Sequence, residues 1–376
     1  MGRELRSVAG GDLGLAVKPL TGRKFRLSPI NPLIKFPNEP ADRRKGGISR
    51  ARRGKHAICA SQISRRFLAV PPARSKQKMK PEARNGMTRP SQPPSSVFWR
   101  SEGARADVPK VLAVEFIRRM RGASQPCLLR GADGAYYVVK FLNNPQHPRI
   151  LANEMFAARL ANLIKLPVPQ PAFIEIPEEL VRGNPQMVIE TGRSLEPSRA
   201  GLAFGSRFPG EPGSTLAIDF LPDRLLGRVT RLGPTFLGAY IFDKWTCNCN
   251  GRQVLFTRPA HQESGAYSPW LIDQGFCFND GEWDFPDSPI RSIYPRRLVY
   301  ESVRGLESFE PFLSRIENLA SRVIEDASVD IPQAWCGEDP SRIRWLVERL
   351  VERRRRLRQM IVDAKNSDLR PFPNWE

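Results

Sequence analysis

The chain has 376 residues, 40% of them apolar, which is longer than one compact domain usually needs and ample for a buried core. Its formal charge of +20 is concentrated: residues 1–100 hold 23 lysines and arginines against 5 acidic residues, and the remainder holds 36 against 34. A nearly neutral body argues against nucleic-acid binding through the overall field and leaves such a role only to the N-terminal arm. No run approaches the roughly 18 apolar residues that span a membrane, and the first residues lack a signal-peptide pattern. None of the six cysteines stands in a CxxC pair, as expected of a protein kept in a reducing cytoplasm.

Residues 1–106 combine recurrent prolines with basic clusters such as Arg43-Arg44-Lys45, and no long apolar period runs through them. Self-repelling charge opposes compaction, so a disordered extension is expected, either a solvated tail or an arm that binds an acidic surface or nucleic acid. Order is predicted from Val108. Val111–Ile117 reads as a strand or a short buried segment, and Pro126–Arg130 and Ala135–Phe141 read as two strands. Between the latter two, Gly131-Ala132-Asp133-Gly134 supplies the glycines of a hairpin turn.

The Ala- and Leu-rich stretch from Pro148 to Ile164 predicts a helix with Ile150, Glu154 and Ala157 on one face, ended by Pro167 and Pro169. From Phe173 to about Asp219 only short apolar runs broken by Gly and Pro are visible. Thr235 to Lys244 predicts a buried helix running into a loop. Gln253–Thr257 and Ser268–Asp273 resemble the arms of a hairpin. Asp339 followed by Pro340 predicts a helix start, with apolar Ile343, Leu346, Leu350, Leu357 and Ile361 at helical spacing to about Ala364. Its arginines 353–356 read as a solvated polar face. Helices mixed with short strands point to an α+β, enzyme-like architecture.

Phosphoryl transfer from ATP needs cations and backbone amides for the triphosphate, oxygen ligands for Mg²⁺, and a carboxylate to orient the acceptor hydroxyl. Lys140 ends a strand on the face opposite Val139 and Phe141, and Glu154 on the next helix is placed to hold it. Gly122, Ser124 and Gln125 precede the second strand, where small residues let amides approach phosphates. Asp243 and Asn248 stand five positions apart after an apolar helix, one to face an acceptor and the other Mg²⁺. Asp273 ends the strand Trp270-Leu271-Ile272 and is freed by Gly275 to chelate Mg²⁺. His147, between Gln146 and Pro148, reads as a surface loop residue, and Trp283 and Phe285 as packing residues near a substrate segment.

In this order, with Gly122–Pro126, Val138–Phe141, Asn153-Glu154 and Phe242–Asn248, the stretch from Val111 to Leu319 resembles the HipA-like kinase domain of bacteria. That group is similar to the phosphatidylinositol 3-/4-kinases, to whose D-R-H-x-x-N and I-D-F-G-F motifs Asp243–Asn248 and Ile272–Phe276 correspond. The resemblance implies an α+β, two-lobed protein-kinase-like fold at 107–330 with a C-terminal helical addition at 331–376. It implies ATP and Mg²⁺ as cofactors and a protein serine or threonine as acceptor. It makes Asp243 the catalytic aspartate, Asn248 and Asp273 the metal ligands, Lys140 the nucleotide lysine and Glu154 its partner. Lys244-Trp245 and Gln274 depart from the family's Arg-His and aromatic, and no full G-x-G-x-x-G is present. These departures keep a second expectation open, a catalytically weak nucleotide-binding regulator.

Overall fold

The computed structural model describes residues 108–192 and 194–376, so the expectations for the basic arm lie outside the described residues. The first strands follow the alternation in the sequence: β1 (Lys110–Arg119), β2 (Cys127–Gly131) and β3 (Tyr136–Lys140) form an antiparallel meander. Helix α1 (Ile150–Leu163) follows, then β4 (Pro171–Ile176), helix α2 (Glu178–Gly183) and the hairpin β5 (Val188–Thr191) and β6 (Ser194–Pro197). Strand β7 (Gly201–Arg207) pairs with both β3 and β4, and β4 runs parallel to β1, which closes a five-stranded barrel.

Residues one apart in a strand face opposite ways, so the inward set Val111, Ala113, Leu129, Tyr137, Val139, Ile174 and Ala203 fills the barrel. Lys140 is thereby turned off that core, opposite Phe204 in the pairing register. Helix α1 is apolar nearly all round and is buried along most of its length, as its Ala- and Leu-rich sequence requires.

The second lobe begins with β8 (Thr215–Ile218) and the short helix α3 (Asp223–Leu226). Helix α4 (Leu232–Thr246) is its central rod, buried from Thr235 to Thr246. Strands β9 (Gln253–Pro259) and β10 (Ser268–Ile272) form the expected hairpin, with β8 added on the outer edge of β9. Short helices α5 (Phe312–Glu317), α6 (Ser321–Asp326) and α7 (Gln333–Cys336) precede α8 (Ser341–Arg353) and α9 (Leu357–Lys365).

The single long helix expected from Asp339 to Ala364 is interrupted by a 3₁₀ turn at Arg354–Arg356, although the Asp339 carboxylate does accept a hydrogen bond from the Ser341 amide (2.9 Å). The interruption lets both apolar faces reach one core, in which Trp335, Leu346, Leu350, Leu357 and Ile361 are packed with α1 and α4. Trp245 reaches across from α4 to donate its indole N–H to the Leu350 carbonyl (2.9 Å). The architecture is α+β in two lobes, a barrel with one long helix and a helical body around α4. Among the described residues no helix is long and apolar enough to cross a membrane.

Candidate active site

Three predicted residues meet between the lobes. The Lys140 ammonium at the end of β3 donates to Asp273 Oδ1 at 2.7 Å and forms a short contact with Glu154 Oε1. Lys140 and Glu154 are almost wholly buried, and the Asp273 side chain keeps 18% of its surface exposed. Asp273 follows the last residue of β10 in a left-handed conformation (φ 59°), which turns its carboxylate toward the lysine. Its other oxygen accepts from Gln253 Nε2 at 2.6 Å, because Gln253 is paired with Ile272 in the β9–β10 register.

Glu154 also accepts the backbone N–H groups of Gln274 and Gly275, both at 3.0 Å. Gly275 is needed for that closeness, since a Cβ there would lie 2.6 Å from Ile150 Cγ1 and 3.2 Å from the Glu154 carboxylate. Its role is close packing against α1, not the release of Asp273 that the sequence suggested. One residue earlier on α1, the buried Asn153 amide donates to the carbonyls of Gly275 (2.8 Å), Cys277 (3.0 Å) and Asp280 (2.8 Å). Its oxygen accepts from the Trp283 indole (2.6 Å), so Trp283 is a packing residue.

Burial pulls the Lys140 pKa down, but the attraction of Glu154 and Asp273 outweighs it and the net direction is upward. Burial and the neighbouring Asp273 raise Glu154, and the Lys140 charge holds Asp273 below the usual carboxylate range despite its own burial. Two carboxylates thus share one lysine.

Asp243, expected to face and orient an acceptor hydroxyl, is placed differently. Its side chain is about 1% exposed, and both oxygens are engaged by the guanidinium of Arg252, Nε reaching Oδ2 at 3.0 Å and Nη2 forming a short contact with Oδ1. Asn248 Nδ2 also donates to Oδ1 at 3.1 Å. A carboxylate held on both oxygens by a buried guanidinium is not free to orient an acceptor hydroxyl in this arrangement. Burial opposes the Arg252 charge, and Asp243 more than offsets it, so the arginine pKa is raised.

Arg252 also donates to Gln274 Oε1 at 2.7 Å and to the Ile272 carbonyl at 3.3 Å. That gives a physical reason for Gln274, since a phenylalanine in its place would have no oxygen to accept from Arg252. Arg252 and Gln253 are the site residues that the sequence reading missed. Arg252 precedes and Gln253 begins the predicted strand, and nothing local distinguishes an arginine tied to a buried aspartate from one in solvent.

Asn248 lies just past the C-terminus of α4, where Cys247 takes the left-handed conformation (φ 53°) that ends the helix, and its amide oxygen accepts from the Asn250 N–H (3.1 Å). Ser124 is buried, and its carbonyl accepts from Asn144 (3.1 Å), which ties the β1–β2 turn to the chain just after Lys140. Gly122 has a φ of 129°, as a glycine allows. The Gln125 side chain turns instead to β5, accepting from Glu190 N (2.8 Å) and Arg119 (3.1 Å). His147, expected at the surface, is largely buried, with Nε2 3.0 Å from the Gly275 carbonyl and 2.9 Å from Asp280.

Residues 113–250 match the family model of the HipA-like kinases. This segment is similar to the HipA-like kinases. It contains Lys140, Glu154, Asp243 and Asn248, and it ends before Asp273. No curated protein sequence matches the chain.

The chain is also similar to several solved kinase structures. It is 13% identical to the Helicobacter pylori proinflammatory kinase CtkA, covering 69% of this chain and 99% of that one, with a TM-score of 0.45. A Golgi casein kinase shares 11% identity over 69% and 74% of the two chains (TM-score 0.41). The Shewanella oneidensis HipA, solved with HipB and operator DNA, shares 12% over 72% and 70% (TM-score 0.38).

Proposed function

We propose that the chain is an ATP- and Mg²⁺-dependent phosphotransferase whose acceptor is a hydroxyl, a protein serine or threonine. The observation that carries this reading is the buried Lys140–Glu154–Asp273 cluster, in which two carboxylates share one cation. The donor set fits a nucleotide with a hard cation: carboxylate and amide oxygens from Asp273 and Asn248, and an ammonium held in place by Glu154. Bound there, Mg²⁺-ATP supplies the transferable phosphoryl group.

Lys140 would neutralise phosphate charge, and Glu154 would fix its orientation. Asp273 and Asn248 would hold the metal, and Ser124 with Gly122 would present the turn beside the phosphates. Asp243 would align an acceptor only in a state where Arg252 has released it. In the described arrangement it fixes Asn248 and Arg252. The catalytic unit would comprise 107–330 with the helical addition 331–376.

The Asp243–Arg252 lock favours a second reading, a nucleotide-binding regulator with weak or absent turnover. Incubation of the full chain with γ-labelled ATP and Mg²⁺ separates the two. Label transferred by the parent to itself or to a serine substrate, and lost in Lys140→Met, is the kinase outcome. Stabilisation by Mg²⁺-ATP with no transfer is the regulator outcome, and neither stabilisation nor transfer removes both.

A further inference from the structure

A cavity of about 80 Å³ opens between the end of α4, the segment 286–292 and the helices α8 and α9. Lys244, Arg291, Arg353 and Arg356 line it, against the carboxylates of Asp287 and Asp363. Asp243 also borders it, but its carboxylate is taken by Arg252. Arg353 and Arg356 share the single carboxylate of Asp287, at 2.7 and 2.9 Å. Arg353 is further spent on the carbonyls of Trp245 (3.1 Å) and Lys244 (2.9 Å), so it contributes charge more than free donors.

Lys244 and Arg291 are left over. The Lys244 ammonium, on a residue only 5% exposed, donates to the carbonyls of Ser288 (2.9 Å) and Pro289 (2.8 Å). Arg291 donates to Asn279 Oδ1 (2.7 Å) and the Cys247 sulfur (3.3 Å). Among the described residues neither has a carboxylate within ion-pair distance. Burial lowers the Lys244 pKa to about 8, and Arg291 and Arg353 add to that while Asp287 opposes it. A buried ammonium without a counter-ion is costly, and a guanidinium fork beside it suits a tetrahedral oxyanion.

We propose that this cavity binds a phosphate-class oxyanion, held by Lys244, Arg291 and Arg356. The site is separate from the Lys140 cluster, and only one source of its anion, a phosphate placed on Ser288 from ATP, rests on the kinase reading. An anion there joins the segment 286–292 to α4 and α9. Because Ser292 Oγ donates to the Asn248 carbonyl (3.2 Å), the loop that carries Asn248 is ordered with it. The phosphoryl group has two sources, a free phosphate ion or a phosphate on Ser288, which lines the same cavity. Modification of Ser288 would form an Oγ–P bond and break the bond from the γ-phosphorus to the β–γ bridging oxygen, releasing ADP and passing the hydroxyl proton to solvent.

The test titrates the full chain with inorganic phosphate, against sodium chloride at matched ionic strength, and follows thermal unfolding. The expected result is saturable stabilisation by phosphate alone, with the apparent affinity weakened about tenfold in both Arg291→Gln and Arg356→Gln. Neither side chain belongs to a hydrophobic core, so both variants should fold. An equal response to chloride, or unchanged phosphate affinity in both variants, overturns the proposal whatever the nucleotide assays show. Peptide mass spectrometry after incubation with Mg²⁺-ATP distinguishes the sources. Phosphorylated Ser288 that abolishes the response to added phosphate assigns the anion to the chain itself, and unmodified Ser288 with the response intact assigns it to the free ion.

Discussion

Lys140 and Lys244 are both buried ammonium groups, and their neighbours push them in opposite directions. Glu154 and Asp273 raise Lys140, so its contribution to stability is present below the unfolded lysine value of about 10.4 and is lost as pH rises beyond it. Lys244 is lowered to about 8 by burial, which means the unfolded chain binds the extra proton between about pH 8 and 10.4. In that window this residue makes stability increase with pH. Lys244→Met is therefore expected to have its largest stability advantage over the parent below pH 8. The advantage should shrink toward pH 10.4 in chemical denaturation measured across that range. A difference that does not vary with pH would show that the ammonium is not penalised in the fold.

At the scale of elements, α1 does more than supply Glu154. Through Asn153 it holds three carbonyls and one indole of the segment 275–283, so the chain that follows Asp273 is pinned to the same helix as the Lys140 partner. Asn153→Ala leaves several buried polar groups unpaired, and we expect it to cost about 3 kcal/mol. Hydrogen exchange should accelerate first in residues 275–283, while barrel amides stay protected. Uniform loss of protection across both lobes would contradict this division.

The elements that the sequence revealed are those whose reasons are local. The Gly131–Gly134 turn between alternating strands, the Ala- and Leu-rich α1, and the β9–β10 hairpin each carry their pattern within one short window. The middle of the chain was opaque because β7 is defined by its partners β3 and β4, which lie about 67 and 30 positions earlier. Of the site, Lys140 and Asp273 were legible as charges at the ends of apolar strands, and Glu154 as a charge within an apolar helix. The pairing of Asp243 with Arg252 was not, since only the tertiary fold decides which arginine is buried.

Over the whole molecule, the barrel and the helical body each have a core, and the last helices belong to the second of these. Trp335, Leu346, Leu350, Leu357 and Ile361 are each about 1% exposed or less. At about 1.5–3 kcal/mol per buried side chain their loss removes roughly 10 kcal/mol, comparable with the whole stability of a typical domain. A chain ending at residue 330 is expected to lose cooperative unfolding by circular dichroism. A parent-like melting midpoint would show instead that 331–376 is an independent addition.

The central claim concerns the cleft where the two lobes meet, and nucleotide binding by the full chain tests it most directly. Isothermal titration with Mg²⁺-ATP, repeated in EDTA, is compared between the parent and Asp273→Asn, which keeps the side chain's size and removes its charge. The account predicts metal-dependent binding in the parent and loss of the metal dependence in the variant. Equal, metal-dependent binding by both proteins would place the metal away from Asp273 and contradict it.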